Sequence, residues 1–411
     1  MATTDVLTCL FQYASLSVTI AVGLYATFLG LLTTETFQSH VVYLHRIQLT
    51  WFNDLNVPEG FGFLRNQATP FTITTPDGEQ LYAWHILPVE LYRQHEDALI
   101  AEPAGVASDI TDRRSFQLLR DDPDARLVVH LHGAGGTVGS GYRVSNYRAL
   151  SAGQPDKIHV LTFDYRGFGR STGNPSETGL IADARAVIDW SMTVAGIPAS
   201  RIVIFGQSMG TAVSIGITRD LAMQPEPVAF AGMVLVAPFV DSATLVATYR
   251  IAGIIPVLSP LLRFPWLFTT LQGFIRDKWA SKDRISDYVR ANEENSERYH
   301  LTILHAEDDY DIPWHHTRAL FTQAVRSSVP GGIDDEEVEQ RIQDLQVDLG
   351  EAGTVIEWKT EHGVIREQIL ETGLHDAIMG YPVVTMAVMR AFEAADQAFP
   401  RSLPEKGTNL E

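Results

Sequence analysis

The sequence predicts an α/β fold in which a mostly parallel sheet is flanked by helices. From about Arg126 onward, short apolar segments with the length of buried strands alternate with helical patterns, and this alternation is typical of a parallel sheet wrapped by helices. Ahead of it, Phe71–Trp84 consists of two strand-like segments around Pro76-Asp77-Gly78, which predicts an opening hairpin. A chain of 411 residues is long enough for one such domain with insertions and a short N-terminal element.

The segment Arg201–Gly210 predicts a nucleophilic serine. It is a short apolar run that ends in Gly-Gln-Ser-Met-Gly at positions 206 to 210, and a helical pattern follows from Thr211. A strand, a sharp turn and a helix in this order hold the Ser208 hydroxyl clear of the backbone at the edge of a sheet. The five-residue motif also occurs by chance, so the prediction depends on the strand before it and the helix after it.

A nucleophilic serine needs a histidine as its base and an acid that orients the histidine. Downstream of Ser208, an apolar run from Leu301 leads into an acidic turn that contains Asp308 and Asp309. Near the end of the chain, His375 lies in a glycine-containing loop just before a helical pattern. The serine, the acid and the histidine therefore follow one another in the order used by serine hydrolases with an α/β fold. The residues alone leave the choice between the two adjacent aspartates open.

A glycine-rich loop predicts where the oxyanion of the reaction would be bound. The apolar strand that begins at Arg126 runs into His-Gly-Ala-Gly-Gly at positions 132 to 136. Such a loop can present backbone N–H groups where a side chain would obstruct them. The backbone N–H of Met209, directly after the serine, would supply a second donor.

Five segments together resemble the α/β-hydrolase superfamily, and within it the lysophosphatidylserine and monoacylglycerol lipase branch of its membrane-bound lipid hydrolases. They are His132–Gly136, Phe163–Gly173, Gly206–Gly210, His305–Asp309 and Gly373–Asp376. The resemblance covers about residues 70 to 398. It implies the α/β-hydrolase fold with a lid insertion, and a serine hydrolase that needs no metal and no organic cofactor.

The resemblance also implies roles for individual residues. Ser208 matches the nucleophile and His375 the general base. The acidic segment from His305 to Pro313 follows the family pattern His-Gly-x-x-Asp-x-x-Val-Pro, with alanine in place of the glycine, and selects Asp309 as the acid. Ala134 and Met209 match the family's oxyanion donors.

The N-terminal region predicts a membrane anchor. No charged residue occurs from Leu10 to Leu32, and a helix that rises about 1.5 Å per residue can then cross a hydrocarbon core of roughly 30 Å. A cleaved signal peptide is the alternative. The first nine residues contain no Lys or Arg, and no Ala-x-Ala-like site follows the run, so a retained single-pass helix is predicted. The bilayer is then a partner, and the endoplasmic reticulum is the expected membrane.

A second apolar region predicts a lid. The segments Ile251–Leu262 and Phe264–Phe268 are apolar and contain three prolines, and they are too short to span a bilayer. An apolar, aromatic lid suits an acyl chain that enters from a membrane surface. The alternative, that this region only packs on the domain below it, is also open.

The predicted organisation has four parts: an anchor at 1–40 with its transmembrane helix at about 10–32, a linker at 41–70, a catalytic domain at 71–398 and a tail at 399–411. The catalytic domain is predicted to contain two insertions, the lid at about 240–290 and an acidic insertion at about 331–352. In the acidic insertion, four apolar residues share one face of a predicted helix: Val338, Ile342, Leu345 and Leu349. Residues 93–125 have no apolar period and predict a long surface loop.

The predicted function is hydrolysis of acyl esters of lipids, of the monoacylglycerol or lysophospholipid type, with a lipid ester as the substrate. A net charge of −19 argues against nucleic-acid partners. Other acyl-transfer enzymes on the same fold are the alternatives, namely a broad carboxylesterase, a thioesterase or a peptidase. A non-catalytic scaffold tethered to the membrane is the alternative outside enzymes.

Overall fold

The computed structural model describes residues 2–50, 52–251, 255, 256 and 258–398. The helices are α1 (Ala2–Leu31), α2 (Glu35–Tyr43), α3 (Val89–Gln94), α4 (Glu96–Ala101), α5 (Arg114–Arg120), α6 (Arg143–Ser151), α7 (Glu177–Thr193), α8 (Met209–Ala222), α9 (Ser242–Thr248), α10 (Pro265–Gln272), α11 (Ser281–Asn295), α12 (His315–Ser327), α13 (Asp335–Leu345) and α14 (Pro382–Ala398). The strands are β1 (Ala68–Thr74), β2 (Gln80–Ile86), β3 (Arg126–Leu131), β4 (Ile158–Phe163), β5 (Ile202–Gln207), β6 (Gly232–Val236), β7 (Arg250–Ile251), β8 (Ile255–Pro256), β9 (Tyr299–Ala306), β10 (Val347–Asp348), β11 (Thr354–Lys359) and β12 (Gly363–Leu370).

A single large sheet organises the catalytic part of the chain. Across the described residues, ten strands are ordered β1-β2-β4-β3-β5-β6-β9-β12-β11-β10. The strands from β4 to β12 in this order run parallel. Antiparallel pairs extend the sheet at both edges, and one of them is the predicted hairpin of β1 and β2. The predicted α/β fold with a mostly parallel sheet is confirmed.

Helices cover both faces of this sheet because its central strands are apolar on both sides. Successive side chains of a strand point to opposite faces. Val128 accordingly packs in the cluster that contains residues of α6 and α14, whereas the next residue, Val129, packs in the cluster that contains residues of α7 and α8. Every residue of β3, β4, β5, β6 and β9 is buried, as expected for a parallel sheet covered on both faces.

The four loops that contain the candidate site residues lie at one edge of the sheet. Parallel strands all end at the same edge, and sites of α/β folds form there. The glycine-rich loop follows β3, the Ser208 turn follows β5, the acidic turn follows β9 and the histidine loop follows β12. The fold therefore brings together four segments that are far apart in the sequence.

The prediction of a long surface loop at residues 93–125 is wrong. This region contains α4, α5 and the end of α3. Leu99, Phe116 and Leu119 are fully buried, and the Phe116 ring packs 5.6 Å from the ring of Trp190. Helices of six or seven residues each bury one to three side chains, which is too few to produce a visible helical period in the sequence.

The acidic insertion contains a helix, but only part of its predicted apolar face is buried. Val338 and Ile342 are fully buried on α13. Leu345 and Leu349 are 42% and 41% exposed, because the helix ends at Leu345 and the chain continues into β10. Leu349 therefore does not lie on the helix that the spacing predicted.

The apolar part of the N-terminal helix α1 is not buried in the domain. In the part of the chain that the structure describes, Thr8–Leu31 is the one helical segment that is long and apolar enough to cross a membrane. It has 24 residues and a mean hydropathy of 1.7, and none of its most apolar stretch is buried. This finding suggests a single-pass membrane anchor. Helix α2 follows it after a short turn and crosses the predicted boundary between anchor and linker at residue 40.

The apolar insertion is shorter than the predicted lid. It leaves the sheet after β6 and contains α9, the small β7–β8 pair and α10. Helix α11, which the predicted lid included up to about residue 290, packs on α8 and α12 with Ile285 and Val289 fully buried. It therefore belongs to the helical layer of the domain. Residues 252–254 and 257 of the predicted lid and the predicted tail at 399–411 lie outside the described residues.

Candidate active site

Ser208 lies in a sharp turn between β5 and α8. Its backbone has φ 53° and ψ −122°, a conformation that costs a residue other than glycine about 1–3 kcal/mol. The turn leaves no room for a side chain at Gly206 or Gly210, two residues before and two residues after the serine. A Cβ atom on Gly206 would lie 2.5 Å from the carbonyl oxygen of Gly210, and one on Gly210 would overlap the carbonyl oxygen of Leu131. The two glycines therefore let α8 follow β5 closely enough to present the partly exposed Ser208 at the sheet edge.

His375 and Asp309 meet across two neighbouring parallel strands. Ala306 at the end of β9 is paired with Leu370 at the end of β12, so the loops that follow these strands lie side by side. His375 Nδ1 lies 2.7 Å from Asp309 Oδ2. Because a carboxylate can only accept, Nδ1 carries the proton of this hydrogen bond and Nε2 is left to accept one from another group.

Asp309 is held as an ion. Its Oδ2 also accepts from His305 Nε2 at 3.1 Å, and its Oδ1 accepts the backbone N–H groups of Asp311 and Ile312 at 2.9 Å each. Burial of the carboxyl group favours its protonated form, but the hydrogen bonds from His305 and His375 outweigh it and lower the pKa of Asp309. A negative charge is therefore fixed beside the imidazole of His375.

Asp308 makes different contacts from Asp309. Its Oδ1 accepts the backbone N–H groups of Gly373 and Leu374 at 2.9 and 2.8 Å, and Leu374 has a positive φ of 49°. Asp308 thus holds the backbone of the loop that carries His375, while Asp309 contacts the imidazole. The residues alone did not decide which of the two aspartates orients the histidine. In the structure, each aspartate has its own set of hydrogen-bond partners.

Three carboxylates surround His375. Asp376 and Asp311 act on the imidazole together with Asp309. Burial opposes protonation of the ring, but the hydrogen bond that His375 donates to Asp309 and the charges of Asp309, Asp376 and Asp311 outweigh it, so the pKa of His375 is raised above its ordinary 6.5. A positive charge on the His375 ring would therefore be stabilised at this site.

Asp309, Asp311 and His375 also satisfy a distance criterion for a metal site. One ligand atom from each lies within 4.8 Å of the others. However, Oδ2 of Asp309 already accepts from both histidines and Oδ1 accepts from two backbone N–H groups. These hydrogen bonds occupy both oxygens of Asp309. The arrangement is therefore better suited to orienting the imidazole of His375 than to binding a metal ion.

The buried guanidinium of Arg143 orients the glycine-rich loop, and this contact was missed in the sequence. Arg143, the first residue of α6, is 7% exposed. It donates to the carbonyl oxygens of Gly133 at 3.1 Å, Gly135 at 2.6 Å and Thr137 at 2.6 Å. The carbonyl groups of the loop are thereby gathered on the Arg143 side. An arginine in the first turn of a helix looks like a surface residue in a sequence, so no sequence signal pointed to it.

Two backbone N–H groups beside Ser208 have no acceptor among the described residues: those of Ala134 and Met209. The N–H groups of Gly135 and Gly136 instead donate to the carbonyl oxygens of Tyr43 and Ile47, at 2.8 Å each. A Cβ atom on Gly133 would lie 3.1 Å from Cβ of Ser208, so the loop lies against the serine. The predicted oxyanion donors are thus placed next to the predicted nucleophile with free N–H groups.

The histidine loop and the serine turn are linked through their neighbouring residues. Gln207 Nε2 donates to Asp376 Oδ1 at 3.2 Å, which joins the residue before Ser208 to the residue after His375. In the part of the chain that the structure describes, no hydrogen bond joins Ser208 Oγ to His375 itself. In enzymes without substrate such hydrogen bonds are often long and shorten only in the complex.

The model of the Alpha/beta hydrolase family matches residues 128–362. The chain belongs to this family. It is 29% identical over 296 residues to the lysophosphatidylserine lipase ABHD12 of Rattus norvegicus, across 71% of this chain and 64% of that protein. It is 28% identical over 300 residues to Protein ABHD12B of Homo sapiens, across 70% of this chain and 72% of that protein. The predicted family and branch are confirmed.

The chain spans 64% of the length of the first of these relatives. Among solved structures, an alpha-beta hydrolase from Vibrio vulnificus is 13% identical, with a TM-score of 0.49 over 88% of this chain and 91% of that one. The Pyrococcus furiosus esterase Pf2001 is 15% identical, with a TM-score of 0.46 over 83% of this chain and 95% of that one.

Replacing each of the two adjacent aspartates by asparagine separates their roles. We expect Asp309→Asn to lower kcat for a soluble ester about 10⁴-fold, because the amide no longer fixes the imidazole tautomer or its charge. Asp308→Asn keeps an oxygen that can accept the two loop N–H groups, so its kcat should fall about tenfold or less. Steady-state hydrolysis of p-nitrophenyl butyrate measures both, and equal losses in the two variants contradict the separate roles.

The raised pKa of His375 predicts a shifted pH profile. The acid limb of the kcat/KM profile reports the pKa of the base in the free enzyme. His375 must be neutral to accept a proton, so the midpoint of this limb should lie above pH 6.5. Asp311→Asn removes one negative charge beside His375 and should move the midpoint to lower pH. Asp308→Asn keeps the charges of Asp309, Asp311 and Asp376 and should leave the midpoint in place. A midpoint below 6.5, or an upward shift in Asp311→Asn, is the contrary result.

Proposed function

We propose that this protein is a membrane-anchored serine hydrolase that cleaves acyl esters of lipids, of the monoacylglycerol or lysophospholipid type. The observation that carries the proposal is the 2.7 Å hydrogen bond between His375 Nδ1 and Asp309 Oδ2 at the sheet edge where the Ser208 turn lies. This contact leaves His375 Nε2 as the proton acceptor. Ser208, His375 and Asp309 are the proposed triad, and the N–H groups of Ala134 and Met209 are the proposed oxyanion donors.

The proposed reaction has two halves. In the first, His375 Nε2 takes the Ser208 proton as Oγ bonds to the acyl carbon, and the carbonyl electrons move to an oxyanion held by the N–H groups of Ala134 and Met209. The ester C–O bond then breaks, and the imidazolium gives its proton to the leaving alcohol. In the second half, water bonds to the acyl carbon and gives a proton to His375 Nε2. The bond between the acyl carbon and Ser208 Oγ then breaks, and the imidazolium returns its proton to Oγ, which leaves a fatty acid and free Ser208.

The N-terminal helix and the relatives support a lipid as the substrate. Thr8–Leu31 suggests a single-pass anchor, which would hold the site near a bilayer surface. The similarity to proteins named lysophosphatidylserine lipases supports a lysophospholipid, and the apolar insertion after β6 supports an acyl chain near the site. The proposed membrane is that of the endoplasmic reticulum.

A substrate panel tests this proposal. The full chain in detergent is assayed on monoacylglycerols, lysophosphatidylserine, lysophosphatidylcholine, an acyl-CoA thioester and a peptide, beside Ser208→Ala. We expect turnover of the lipid esters, and we expect Ser208→Ala to reduce kcat by about 10⁶-fold, as loss of a nucleophile does in a serine hydrolase. Turnover confined to the thioester or the peptide favours the other acyl-transfer enzymes. A folded wild type without any turnover favours a scaffold.

A further inference from the structure

Asp309 accepts hydrogen bonds from two imidazoles, and one of them lies outside the proposed triad. This second imidazole belongs to His305, the last residue but one of β9, whose Nε2 lies 3.1 Å from Asp309 Oδ2. His375 Nδ1 lies 2.7 Å from the same oxygen. The two histidines therefore share one carboxylate oxygen, and a change at His305 acts directly on the group that orients His375.

The proton on Nε2 of His305 is fixed by its surroundings. Besides Asp309, this nitrogen contacts the carbonyl oxygen of Ile312 at 2.9 Å. A carboxylate and a carbonyl group can only accept, so Nε2 carries a proton and donates it to both. The other ring nitrogen, Nδ1, lies 2.7 Å from the hydroxyl oxygen of Thr317, and in the neutral ring it accepts the hydroxyl proton. Both nitrogens of the His305 ring are thus engaged.

These contacts restrict how the carboxylate of Asp309 can turn. Its Oδ1 accepts the backbone N–H of Ile312 at 2.9 Å, while its Oδ2 and the Ile312 carbonyl oxygen both accept from His305. The terminal torsion of an aspartate side chain is otherwise broad. With both oxygens held inside one turn, the orientation in which Oδ2 meets His375 is selected before a substrate arrives.

His305 can hold this orientation because it is itself held by packing. His305 and Thr317 are fully buried. Ile303 lies on the same face of β9 as His305 and packs in one cluster with Leu320 of α12. The other histidine on α12 that interacts electrostatically with His305 is His316, and burial lowers the pKa of His316 to about 4, so it brings no positive charge at neutral pH. A supporting group locked in this way can place a reacting group closely.

We propose that His305 is a positioning residue of the triad: its Nε2–H holds Asp309 Oδ2 in the orientation that meets His375 Nδ1, and Thr317 holds the His305 ring. This inference rests on the proposed function and adds to it. The acid of the triad then has two imidazole partners with different tasks. His375 takes up and releases the proton of the reaction, whereas His305 remains a donor throughout.

Removing and restoring the Nε2–H donor tests this role. His305→Leu removes the donor, His305→Gln keeps an N–H group of similar reach, and His300→Leu makes the same change at another buried histidine of β9. The full chain in detergent is assayed on p-nitrophenyl butyrate. We expect His305→Leu to lower kcat and kcat/KM together by about 10²-fold, as a displacement of about 1 Å at the reacting groups does. His305→Gln should recover most of this loss, and His300→Leu should match the wild type.

A second variant and a spectroscopic measurement separate positioning from a loss of stability. Thr317→Val keeps the branched shape of the side chain but removes the hydroxyl on His305 Nδ1, and should lower kcat about tenfold or less. In protein with ¹⁵N-labelled histidine, a proton held between His375 Nδ1 and a carboxylate gives a resonance far downfield. We expect this resonance in the wild type, His300→Leu and His305→Gln. In His305→Leu, folded by circular dichroism, it should be lost through exchange with water. If His305→Leu does not fold, Thr317→Val and His305→Gln carry the test.

The contrary outcomes are distinct from one another. Unchanged kcat and an unchanged resonance in folded His305→Leu, or wild-type kcat in Thr317→Val where His305→Leu does not fold, overturn the inference. Equal losses in His305→Leu and His300→Leu also overturn it, because they assign both histidines to the stability of β9. A wild type that hydrolyses no ester overturns the proposed function and the role of His305 with it, and lack of wild-type turnover distinguishes this failure from the other two.

Discussion

The position of the Ser208 hydroxyl depends on how closely α8 follows β5. The turn can form because Gly206 and Gly210 lack a Cβ, and Ser208 accepts a strained backbone at φ 53°. A wider turn would move the serine away from the glycine-rich loop, which lies against it at Gly133. Strain of about 1–3 kcal/mol is tolerated because buried strands and helices on both sides fix the ends of the turn.

The glycine-rich loop is held from two sides, and both contacts act on its peptide groups. Arg143 draws the carbonyl oxygens of Gly133 and Gly135 to one side. Tyr43 and Ile47 accept the N–H groups of Gly135 and Gly136. Between these fixed groups, the N–H of Ala134 is left without an acceptor among the described residues. An oxyanion site works because its donors are oriented before the charge develops. In the proposed oxyanion site, the orientation comes from the buried Arg143 and from the segment that follows the apolar N-terminal helix.

Local chemistry made much of the fold and the candidate site predictable from the sequence. The alternation of strands and helices predicted the sheet. The serine turn, the acidic turn and the histidine loop each have a short motif, and the structure brings Asp309 and His375 into contact. What escaped prediction depends on contacts between distant segments. Tyr43 and Gly135 are far apart in the sequence, and neither residue has a local signal for their hydrogen bond.

Other misses have the same origin. The buried Phe116 was assigned to a surface loop, because a helix of seven residues that buries three side chains shows no period. Leu349 was placed on a helix because the spacing of apolar residues does not show where that helix ends. The roles of Asp308 and Asp309 differ because the histidine loop lies beside the turn that follows β9. A sequence does not show that these two segments are neighbours.

Whether Ser208 is an activated nucleophile can be tested by labelling the full chain with a fluorophosphonate and locating the modified residue by mass spectrometry. An activated serine reacts with this probe, whereas an ordinary serine does not. We expect one phosphonylated residue, Ser208, and loss of labelling in a folded His375→Ala variant. A label on another residue, or unchanged labelling in His375→Ala, would contradict it.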